Sequence, residues 1–133
     1  MPDLRRSLWF ILAVLAGAIV FAALGPPEWQ FRLGLHWLVE HFLAFFGLTI
    51  FACLAWPRPM AVAAVLLPFA VLLEAAQALT ADRTADPATA LSAASAVAAA
   101  ALLADAVLSV RSLAVRKSAG NPEIRAVARP PQM

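Results

Sequence analysis

The chain has 133 residues, of which 63% are hydrophobic and 14% charged, with a net charge of +2. A soluble domain carries roughly 45–50% apolar and 25% charged residues, so this composition excludes an ordinary water-soluble globule and points to a membrane protein. One cysteine, Cys53, rules out an intramolecular disulfide and a paired-thiol metal site.

Four apolar runs approach or exceed the ~20 residues that carry a helix across a bilayer: Ser7 to Leu24, Trp37 to Trp56, Met60 to Thr80 and Ala88 to Val110. Gly25-Pro26-Pro27 closes the first run. At about 18 residues, that run exceeds the ~7–15 of a signal-peptide core, and further spans follow, so an uncleaved helix is expected. Pro57-Arg58-Pro59 makes the turn between the second and third runs. Pro87 suits the first position of the fourth helix, with Asp86 before it as N-cap. The expected fold class is all-α, a polytopic membrane protein with four transmembrane helices. The expected organisation is a membrane domain over residues 1–110 and a basic, disordered tail over 111–133.

Lys and Arg are retained on the cytoplasmic side. With the N-terminus inside, eight of the ten basic residues are cytoplasmic, and Arg32 and Arg83 alone lie outside. Both termini are then cytoplasmic and the protein is a multi-pass component of the inner membrane. Trp9 and Trp56 fall at the inner boundary, and Trp29 and Trp37 at the outer one, where tryptophan is favoured.

The second run descends from the outer surface and the third rises toward it. This places His41 ~6 Å and Glu74 ~9 Å below the same boundary, at 1.5 Å per residue. Gln77 shares a helix face with Glu74, Glu40 adjoins His41, and Asp82, Arg83 and Asp86 occupy the loop above. Ionisable groups within a span cost ~2.5–3.5 kcal/mol on insertion scales and are normally paired or turned toward a cavity. Glu40, His41, Glu74, Gln77, Arg83 and Asp86 are therefore the candidate ligand-binding residues. The same cluster is also what a purely structural clamp needs, with Glu74 paired to Arg83 or His41 and Gln77 bonding between helices. Small residues allow close helix approach. Ala44 and Gly47 on the second helix, Ala75 and Ala78 on the third, and Ala90, Ala94 and Ala98 on the fourth are the candidates for intramolecular packing or a homodimer.

The order EHFLAFFGL at 40–48, a Pro-Arg turn, LLEAAQALTADR at 72–83 and an alanine-rich last helix resembles the VanZ-like family of small bacterial membrane proteins. The resemblance spans residues 37 to 104 and rests on His41, Phe42, Phe45, Glu74, Gln77 and Arg83. Where the family pattern continues with Asp, Asn and Gly, this chain has Thr89, Ala93 and Ala96, so it resembles a divergent member. The resemblance implies an envelope protein of a family named for glycopeptide resistance, without implying a reaction.

No phosphate loop, zinc spacing or nucleophilic serine is present, and no metal or cofactor is expected. A basic tail without a recognition fold does not indicate nucleic acid. The expected partners are membrane lipids, with an envelope lipid or lipid-linked precursor as the candidate ligand. Three readings stand side by side. The cluster binds a lipid head group, with Arg83 on a phosphate; it catalyses a reaction on such a lipid, with His41 or Glu74 as general base; or it only locks the helices together.

Overall fold

The computed structural model describes residues 2–26, 34–80 and 86–120. These form four helices: α1 (Pro2–Leu24), α2 (Trp37–Ala55), α3 (Pro59–Gln77) and α4 (Pro87–Gly120). All four are long and apolar enough to cross a membrane. Asp82, Arg83, Trp29 and Arg32 lie outside the described residues.

Local chemistry sets the helix ends. Gly34, at φ +77°, takes the chain through a left-handed turn that a residue with a Cβ resists. His36 then caps α2, its Nδ1 accepting from the Leu38 N–H at 3.4 Å. Trp56 ends α2 in extended geometry, and Pro59 starts α3 where a missing N–H costs nothing. At α4 the expected cap is present: the Asp86 carboxylate accepts the Ala88 N–H at 2.9 Å, with Pro87 between them.

Two boundaries differ from the sequence reading. α3 leaves regular helix at Gln77, three residues short of Thr80, so Glu74 lies in its last turn. α4 continues ten residues past Val110 to Gly120, where disorder is expected from residue 111. The sequence Arg-Ser-Leu-Ala-Val-Arg-Lys contains no Gly or Pro to stop a helix, and the breakers arrive only at Gly120-Asn121-Pro122.

The helices pack as a ring in which α4 lies between α2 and α3, and α1 touches α2 and α3 on the far side. The most extensive contact joins α2 to α4. Ala93, Ala96 and Val97 of α4 meet Phe45 of α2 and Ala70 and Leu73 of α3 in the main core. Alanine on α4 lets the neighbouring backbones approach, and this replaces the hydrophobic drive that a lipid environment removes. A second, smaller core of Ala52, Cys53 and Val62 lies toward the Arg58 end.

Of the small residues expected to do this work, Ala90 and Ala94 of α4 are half-buried, and none of the set lies in the buried core. Ala44, Ala75, Ala78 and Ala98 are exposed, and a Cβ added at Gly47 would meet nothing within 4 Å. The buried stripe of α4 is instead Thr89, Ala93, Ala96, Val97, Ala100 and Ala101.

Candidate functional site

At the end of the bundle that carries Glu74, three side chains reach across to backbone groups of other elements. Glu74, buried in the last turn of α3, accepts the Asp86 N–H on Oε1 at 2.7 Å. Gln77, one turn further along the same face and also buried, donates from Nε2 to the Ala23 carbonyl of α1 at 3.2 Å. Ser92 of α4 donates to the Leu38 carbonyl of α2 at 2.7 Å. Together the bonds join α1 to α3, α3 to the start of α4, and α4 to α2. The first two satisfy main-chain groups that lack an intrahelical partner, the Asp86 N–H before α4 and the Ala23 carbonyl in the last turn of α1, whereas Ser92 adds a second bond to a carbonyl in the first turn of α2.

Asp86 is the hinge of the arrangement. Its N–H goes to Glu74 while its carboxylate holds the first turn of α4, so the entry of α4 is fixed directly against the exit of α3. Thr80 completes the turn by donating to the Gln77 carbonyl at 2.7 Å.

The α2 members of the expected cluster are engaged differently. Glu40 reaches back to accept the Leu35 N–H at 3.2 Å and so supports the start of its own helix. His41 places Nδ1 2.9 Å from the Trp37 carbonyl one turn earlier and sets its ring edge-on to the Trp37 indole. The described structure therefore bonds Glu74 to Asp86, while Gln77 and Ser92 make separate links to α1 and α2 at the same end of the bundle, and Glu40 and His41 bond within the first turns of α2. The expected pairing of Glu74 with Arg83 falls outside the described residues.

Two features bear on what this end can do. Glu74 commits Oε1 to the Asp86 N–H, and Oε2 has no hydrogen-bond partner among the described residues. The hydroxyls of Thr80, Ser92 and Ser95 all donate to main-chain carbonyls, an arrangement that leaves their protons committed to structure instead of to a neighbouring base.

Ser92 and Thr89 carry meaning that the sequence alone does not reveal. Thr89, Ala93 and Ala96 lie on the buried face of α4, with exposures of 5%, 2% and 0%, so all three point into the bundle. Ser92, on the flank of that stripe, supplies the polar link to α2. A serine in an alanine-rich helix gives no periodic signal, and only the backbone geometry identifies its partner. Comparison with protein-family models, curated proteins and solved structures finds no match to this chain.

Proposed function

We propose that this chain is a non-enzymatic, VanZ-like protein of the bacterial inner membrane, with both termini in the cytoplasm and its Glu74 end facing outward. In this reading the polar cluster fastens the outer ends of four helices and gives the protein a fixed external face. The observation that carries it is the choice of partners. Glu74, Gln77 and Ser92 each bond a main-chain group of a different element. The basic residues concentrated near the opposite end support the orientation, and the 40–48 and 72–83 motifs support the family resemblance.

A second reading has one specific observation in its favour. Glu74 Oε2, beside the partly buried Asp86, has no hydrogen-bond partner among the described residues, so the cluster can also accept a hydrogen bond from a lipid head group or a lipid-linked precursor, with Arg83 on its phosphate. Native mass spectrometry of gently purified wild type, Glu74→Gln and Arg83→Ala, with the folded yield of each, separates the two. The fastening reading expects the same bound lipid on wild type and on Arg83→Ala, with a lower folded yield for Glu74→Gln. A defined lipid that accompanies wild type and is absent from well-folded variants would replace it with the binding reading.

A further inference from the structure

At the opposite end of the bundle an apolar cleft of about 290 Å³ opens between α1, α2 and α3. Trp9, Leu12 and Ala16 line it from α1, and Ala52 and Trp56 from α2. On α3 the wall runs from Val62 to Phe69. Seven residues on α1 and seven on α3 make it ~10 Å long at 1.5 Å per residue, which lies within one leaflet of a ~30 Å hydrocarbon core.

The lining of the cleft is apolar throughout, which suits a segment of hydrocarbon chain.

The mouth carries charge of one sign. Arg5, Trp9, Leu12 and Ala16 follow spacings of four, three and four, so Arg5 stands one turn beyond the cleft on the very face of α1 that lines it. Arg58, the N-cap of α3, accepts the Val62 N–H on its carbonyl at 3.0 Å and so stands at the foot of that wall. Both arginines are exposed. Asp3, two residues before Arg5, lies roughly 200° around the helix at 3.6 residues per turn. Trp9 and Trp56 flank the boundary, as indoles do at head-group level.

We infer that this cleft holds one acyl chain of an anionic glycerophospholipid, whose phosphate sits between Arg5 and Arg58. The site is separate from the Glu74 cluster and does not depend on how that cluster is read. Arginine matches phosphate with two parallel N–H donors, and the apolar wall beneath retains the chain that an exposed head-group contact alone would lose.

The test uses the full chain in detergent, exposed to phosphatidylglycerol and phosphatidylethanolamine of identical acyl chains, with bound lipid counted by native mass spectrometry. One phosphatidylglycerol per chain is expected under conditions that strip phosphatidylethanolamine. Arg5→Ala and Arg58→Ala should each lower the preference about 5-fold. Arg116→Ala, which removes the same single charge from the exposed extension of α4, should leave it within about twofold. Ala16→Trp, which fills the cleft, should lower retention of both lipids. Equal retention of the two lipids by wild type overturns the inference, as does an equal loss in the α4 control. A protein dimer that Ala16→Trp converts to lipid-free monomer also overturns it. Should Ala16→Trp fail to fold, the exposed arginine pair and its control decide the matter alone.

Discussion

Thr49 and Glu74 are both buried in a membrane helix, but their hydrogen bonds differ in reach. The Thr49 hydroxyl donates to the Phe45 carbonyl of its own helix at 2.7 Å, and that carbonyl keeps its place in the α2 ladder without it. Thr49→Val is expected to cost under ~1 kcal/mol. Glu74→Ala strips the Asp86 N–H of its acceptor and should cost about 1–3 kcal/mol, read as a lower unfolding midpoint in micelles. A Glu74→Ala variant as stable as Thr49→Val would show that the bond does not fasten α4. At this scale the sequence was partly legible. Asp86 before Pro87 announced a cap, and Glu74 and Gln77 announced polar contacts, because both signals are local. Their partners were not legible, since Ala23 and Asp86 contribute main-chain groups that every residue possesses.

For single helices, α4 shows why sequence reading located the span but not its contact face. Alanine occurs on every side of it, so periodicity cannot distinguish the stripe through Ala93, Ala96 and Ala100 from the one through Ala90, Ala94 and Ala98. The large residues Phe45 and Leu73 on the neighbouring helices decide the matter by where they leave room. Ala96→Leu should therefore overpack the core at a cost of about 1–3 kcal/mol, whereas Ala98→Leu, exposed on the other side, should stay within ~0.5 kcal/mol. The same measurement in micelles checks both. Residues 111–118 are exposed throughout, and 34 residues at 1.5 Å give α4 a length of ~51 Å, well beyond a ~30 Å hydrocarbon core. Removing residues 111–133 should thus leave the unfolding midpoint of the bundle essentially unchanged; a marked drop would mean that the extension packs against it.

Across the whole molecule, the ring places the charged extension of α4 and the start of α1 at one end and the Glu74 network at the other. In a Cys53→Ala background, a cysteine at Ser112 should react with an impermeant maleimide only in inverted vesicles, and one at Leu79 only in intact spheroplasts. The reverse pattern would invert the proposed orientation. The long-range hydrogen bonds of this fold also impose an order in time. Gln77 to Ala23 and Ser92 to Leu38 each span 54 positions, so at ~5–20 residues per second a ribosome delivers the second partner roughly 3–11 s after the first. Throughout that interval α1 resides in the bilayer without its anchor. It is the most apolar of the four spans and the one with the fewest buried side chains. A first helix built to wait alone during synthesis has these properties.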